Sequence, residues 1–189
     1  MHKVCRSFAS ASGKGRRIWI DTMTRMADPA NENSALAPCP RCGALVRDGV
    51  EGCFALFYEM SGHEYSDPAY GAVNLLSVDA HALQHPEDHG VKNNAFHLIR
   101  LCWLLEDNGD PRIGQGPGWL QQEFDGNAEV QALEPPLNRG GMTIAQVVGA
   151  TSPEEHTERV YRWARSVWKA WSAHHEWARE WLRRKRLDA

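Results

Sequence analysis

Apolar positions along this chain recur with helical spacing in several stretches, and chain-breaking residues stand between them. Residues 1–37 mix Ser, Ala, Gly, Arg and Asn around one apolar patch, Ile18-Trp19-Ile20. So little apolar surface cannot offset the entropy of ordering the segment, which reads as an irregular leader. The run Phe54-Ala55-Leu56-Phe57-Tyr58 predicts a short helix. Ser66-Asp67-Pro68 then marks a turn, and Tyr70 to Gln84 keeps helical periodicity until Pro86 stops it. A third helix is predicted from about Asn94 to Asp107, carried by Phe96, Leu98, Ile99, Leu101, Cys102 and Leu105 and ended by Asn108-Gly109-Asp110-Pro111. Trp119 to Phe124 reads as a short helix and Thr143 to Val148 as a helical turn, separated by Glu134-Pro135-Pro136 and Gly140-Gly141. Ser152 as cap, Pro153 at the first position and the acids Glu154 and Glu155 open a last helix. No Pro or Gly interrupts it from Thr157 to about Arg184, which predicts one long element. Strand alternation is absent except for a small ribbon expected around the first cysteines. The fold class is mainly α: a helical bundle with an N-terminal Cys-rich zinc knuckle, forming a single zinc-stabilised domain over residues 38–186 after the 1–37 leader.

Composition narrows the function classes. With 42% hydrophobic and 24% charged residues the chain is of globular type, and a net charge of -3 supplies no basic field for nucleic acid. No apolar run reaches the roughly 18 residues of a membrane span. The basic residues Lys3, Arg6, Lys14, Arg16 and Arg17 are not followed by the apolar stretch of a secretory signal. A soluble, cytoplasmic protein without nucleic-acid or membrane partners is expected. Five unevenly spaced cysteines then favour metal or thiol chemistry over a disulfide framework.

Cys39-Pro40-Arg41-Cys42-Gly43 is a turn that brings two thiolates to one ion, with glycine permitting the tight backbone. Cys53, expected near a helix N-terminus that favours its thiolate, can return as a third ligand. Tetrahedral zinc needs a fourth. No second Cys-x-x-Cys exists, so the fourth is distant: His63, Cys102, a later histidine, or water, which would leave the site open for catalysis. His85 is counted with Cys39, Cys42 and Cys53 as a metal ligand, because its place before Pro86 can turn it inward. His81 and His85 also share a helix face with Asn74, which suits either one metal ion or two solvent-facing histidines.

Other polar residues fall on apolar faces. Asp79 lies near the centre of the arc formed by Ala72, Leu75, Leu76, Ala82 and Leu83. A buried carboxylate must be paired or bind a metal, so Asp79 is either a catalytic candidate or the partner of an arginine such as Arg100. His97 borders the stripe of the third helix. In the last helix, positions 160, 164, 167, 171, 174, 178 and 181 keep 3-4 spacing and read Val, Ala, Val, Trp, His, Ala, Trp. His174 therefore lies in the stripe and His175 at its border, each either bonded to a backbone carbonyl or serving as ligand or acid/base. Asp79, His97, His174 and His175 are the catalytic candidates. If they converge they would form a histidine and carboxylate site for zinc or a second transition metal.

The ordered motifs Cys-Pro-x-Cys-Gly, Gly52-Cys53, Asp67-Pro68-x-Tyr70-Gly71-Ala72-Val73, Val78-Asp79-Ala80-x-Ala82-Leu83-Gln84-His85-Pro86, His97-Leu98-x-x-Leu101-Cys102 and Ser166-Val167-Trp168-x-Ala170-Trp171-x-x-His174-His175 resemble a bacterial family of unknown function over about residues 38 to 182. The resemblance implies a small cytoplasmic protein with Asp79, His85, His97 and the paired histidines among its motifs. It carries no activity. The position of Asn74 is often His in that family, so a metal site using it would be altered here.

Three functions fit these residues. One is a zinc-binding helical protein with a small-molecule or metal-dependent catalytic cleft between helices. Another is a zinc-stabilised interaction module that binds a partner, or its own copy as a homodimer, through the Trp-rich C-terminal helix, where five of eight tryptophans (Trp163, Trp168, Trp171, Trp177, Trp181) cluster. The third is a thiol-based metal or redox sensor exchanging metal for a Cys39–Cys42 disulfide.

Overall fold

The computed structural model describes residues 35–112, 114, 117–126 and 130–187. All but the last three residues of the predicted 1–37 leader lie outside them. The described chain is mainly α. A two-stranded antiparallel ribbon, β1 (Ala37–Pro38) and β2 (Leu45–Val46), carries the cysteine turn, with Ala37 opposite Val46 and Pro38 opposite Leu45. Helices α1 (Gly49–Ser66), α2 (Asn74–Gln84), α3 (Val91–Glu106), α4 (Gly118–Asp125), α5 (Pro153–Ala170) and α6 (His175–Leu187) follow. Single 3-10 turns at Gly71–Val73, Pro86–Asp88, Ile144–Gln146 and Ser172–His174 join or extend them.

α2 is the central element, packed by α1, α3 and α5. Its central place explains its burial on every side: beside Leu76, Ala80 and Leu83, the polar Asn74, Ser77, Asp79, His81, Gln84 and His85 are also buried. The face of Asn74, His81 and His85 therefore does not look into solvent. Gln84 shows how such a helix satisfies its polar groups. Its Nε2 donates to the carbonyls of Arg139 (3.0 Å) and Met142 (2.8 Å), and its Oε1 accepts from Trp163 Nε1 at 2.9 Å. α2 stops at His85 (φ -128°, ψ 48°), since the residue before a proline is driven from helical backbone.

Two predicted helices differ most from what forms. The short helix expected at Phe54–Tyr58 is an 18-residue helix that starts at Gly49. It starts through left-handed backbone at Asp48 (φ 61°) and Gly49 (φ 59°) rather than a side-chain cap. The long last helix is two. Trp171 N–H bonds both the Val167 and Trp168 carbonyls, and His175 Nε2 donates to Trp168 O at 2.7 Å. The Trp168 carbonyl that a continuing helix would reserve for residue 172 is thus taken, while Trp171 Nε1 anchors to Leu83 O at 3.1 Å. A 3-10 turn absorbs the break. Val160, Ala164, Val167, Trp171, Ala178 and Trp181 are buried as their spacing predicts, whereas His174 is only half-buried. Among the described residues no helix is long and apolar enough to cross a membrane.

Candidate metal centre

Cys39 and Cys42 sit on the turn between the strands. The Gly43 N–H donates to Cys39 O at 2.8 Å, and Gly43 takes φ 79°, backbone that side-chain-bearing residues rarely adopt. The amides of Arg41 and Cys42 point at the Cys39 sulfur, and that of Ala44 at the Cys42 sulfur. Cys53 projects from the second turn of α1 toward this knuckle. Its neighbour Gly52 has no room for a side chain, because a Cβ there would stand 1.6 Å from the Arg47 carbonyl oxygen. That explains the Gly52-Cys53 pair. His85 arrives from the C-terminal end of α2.

One ligand atom from each of Cys39, Cys42, Cys53 and His85 lies within 4.8 Å of the others, close enough to hold a metal ion. Cys42 Sγ and Cys53 Sγ are 3.6 Å apart, and Cys39 Sγ and His85 Nε2 3.8 Å. Tetrahedral bonds of about 2.3 Å to sulfur and about 2.05 Å to nitrogen would separate such atoms by about 3.6 to 3.8 Å. The tautomer fits as well. His85 Nδ1 donates to His81 O at 2.8 Å, a carbonyl that can only accept, so Nε2 is left with its lone pair toward the sulfurs. Phe54 (ring centroid 5.2 Å from that of His85) and the stacked His81 (4.2 Å) shield it from water.

Without an ion, the thiols share protons unevenly. The Cys53 S–H donates to Cys42, which holds the Cys42 thiol down to about 4, while the same bond and burial push Cys53 up. Burial likewise raises Cys39. Three crowded sulfurs cannot all ionise in a buried pocket unless a cation joins them. Burial, then the neighbouring imidazoles, hold His81 down to about 2, so it stays neutral beside the site.

Of the other predicted site residues, Asp79 and His97 meet, while His174 and His175 bond elsewhere. Asp79 is fully buried and accepts from His97 Nδ1 (2.8 Å), Arg100 Nε (3.0 Å) and Arg100 Nη2 (2.7 Å), the arginine partner among the alternatives. His174 Nε2 donates to Glu134 O at 2.9 Å. His175 stacks on Trp168, centroids 3.7 Å apart and planes 7° off parallel. Both paired histidines thus bond backbone carbonyls, the alternative to a ligand or acid/base role, and neither is among the partners of Asp79. Of the other fourth-ligand candidates, Cys102 donates to Glu106 Oε2 at 3.9 Å, and His63 is exposed and stacked on Tyr70.

A second buried polar group went unread in the sequence. Glu64 on α1, 1% exposed, accepts from Asn74 Nδ2 (2.8 Å), Ser77 Oγ (2.6 Å) and His156 Nε2 (2.8 Å). The signal was there. Cys53, Phe57, Met60 and Glu64 keep 3-4 spacing on α1, and the last helix's stripe extended one step back from Val160 lands on His156.

The fold and site define a helical domain carrying a four-residue Cys3His cluster able to hold a metal ion. The chain belongs to the family of unknown function DUF5946, whose model matches residues 37–172, from the ribbon to the turn after α5. No curated protein and no solved structure matches it significantly.

Proposed function

We propose that the Cys39, Cys42, Cys53 and His85 cluster holds a zinc ion and that this zinc is structural. The single observation carrying this reading is the closed ligand set: four donors from three separate segments converge in a buried pocket, where catalytic zinc keeps a position free for water. Three sulfurs and one imidazole form a soft donor set that suits zinc and disfavours magnesium, calcium or manganese. The role follows from where the ligands stand. The ion would fasten the ribbon and the start of α1 to the C-terminal end of α2, a junction otherwise held on the ribbon side by few buried residues, chiefly Ala44 and Val46. Arg41 adds long-range pairing to Glu87 and Asp88, each at 3.7 Å, which contributes little on an exposed surface.

Elemental analysis of protein purified without added metal tests this. A single zinc per chain is expected, lost in both Cys39→Ser and His85→Ala. Zinc retained in full by His85→Ala would take His85 out of the ligand set, leaving a three-ligand site open to water, and would overturn the structural reading; iron in place of zinc would overturn the metal.

A further inference from the structure

Away from the metal cluster, α1, Tyr70, the loop 147–150 and the first turn of α5 border an open pocket of about 410 Å³. That is within the range of small-molecule sites, about 300 to 1,000 Å³. Its apolar wall includes Met60 and Val148. Its aromatic wall is the stacked pair His63 and Tyr70, centroids 4.1 Å apart, with the Tyr70 ring 5.3 Å from that of His156. His156 lines the pocket and is itself only 4% exposed.

The proton on His156 is placed by chemistry. Its Nε2 lies 2.8 Å from Glu64, whose two oxygens already accept from Asn74 and Ser77, so Nε2 is the donor. In the neutral ring Nδ1 then keeps the lone pair. This is the arrangement by which a buried carboxylate fixes an imidazole as an acceptor. Glu59 is the one carboxylate residue among those lining the pocket, which no lysine or arginine lines, while Arg159 meets its rim by donating to Val148 O at 3.4 Å and is itself paired with Glu155.

We propose that this pocket binds a small flat molecule, neutral or cationic, that donates an N–H or O–H to His156 Nδ1, with Glu64 as the positioning residue. The aromatic pair takes its flat face, the imidazole its donor group, and Glu59 favours positive charge. The site is independent of the zinc reading, since none of its residues is a metal ligand.

The test uses the metal-loaded full chain and four probes with one ring: benzylamine, benzyl alcohol, toluene and benzoate. NMR spectra of ring-labelled His and Tyr should show His63, Tyr70 and His156 shifting with benzylamine and benzyl alcohol. Benzoate and toluene should bind about tenfold more weakly, the loss expected for one hydrogen bond or an unbalanced charge. Nitrogen shifts at mildly alkaline pH should report the Nε2–H tautomer for His156, and Glu64→Gln should weaken that bias and the benzyl alcohol affinity together. Val148→Trp, which fills the pocket and leaves Glu64 and His156 in place, should abolish the shifts while zinc content stays unchanged. An Nδ1–H tautomer in the wild type, benzoate binding as tightly as benzylamine, or no shift with any probe would each overturn the proposal.

Discussion

Asp79 shows how far one residue can be read. Its place on an apolar arc announced a carboxylate that needed a partner, and the fork of Arg100 supplies two bonds to it. With Arg100 and His97 themselves only 12% and 13% exposed, the pair is largely shut off from water. Removing one member of a buried pair leaves the other unbalanced, at a cost of about 3 to 5 kcal/mol. Asp79→Ala should therefore lower stability by that order in urea unfolding while leaving the metal content intact. Loss of metal in that variant would show that Asp79 supports the cluster after all.

Among the helices, the join of α3 to α5 and α6 depends on Glu106. It accepts from Trp168 Nε1 at 3.0 Å and from Arg179 Nε and Nη2 at 2.7 and 2.8 Å. The Arg179 guanidinium, and then the Trp168 indole, hold the Glu106 carboxyl below the usual carboxylate range. Because the folded state releases this proton more readily than the unfolded chain, its stabilisation is present above about pH 4.5 and lost as pH falls through the lower folded value. Urea midpoints of wild type and Glu106→Gln should differ at neutral pH and converge on acidification, and a gap that does not narrow as pH falls would refute this role. The tryptophans of these helices act mainly inward. Trp163 and Trp171 are wholly buried, with their indole N–H groups bonded to Gln84 and to Leu83 O.

For the molecule as a unit, the balance between the proposed metal and the core decides what metal loss would do. Structural zinc in small fingers contributes about 10 to 16 kcal/mol of binding free energy, enough to govern folding where there is little else. Here α2, α3 and α5 share a core built from Leu76, Leu83, Leu98, Ile99, Leu101, Trp163 and Trp171, none of which needs the ion. Chelation should therefore open the structure locally. Amide exchange should accelerate over residues 39–46 and the first turn of α1, while α2, α3 and α5 stay protected. Collapse of protection throughout would show that the metal holds the whole fold.

The mainly helical class, most breaks between elements, the cysteine turn and the third thiol were legible because each rests on local chemistry. Periodicity, proline and glycine stops, and Cys-x-x-Cys spacing act over a few residues. A resemblance to a family of unknown function was read from the sequence as well, and the chain belongs to one. The pairing of His85 with Cys39, across 46 residues, the burial of the His81 face, the break at Trp171 and the Glu64–His156 contact across 92 residues depend on which surfaces meet. A sequence marks a polar residue on a buried stripe and can suggest a partner, as Arg100 for Asp79; packing decides which partner it meets. His85 and His174 carried similar signals, yet one reaches three sulfurs and the other a backbone carbonyl, because α2 is enclosed by three helices and the α5–α6 corner stands at the surface.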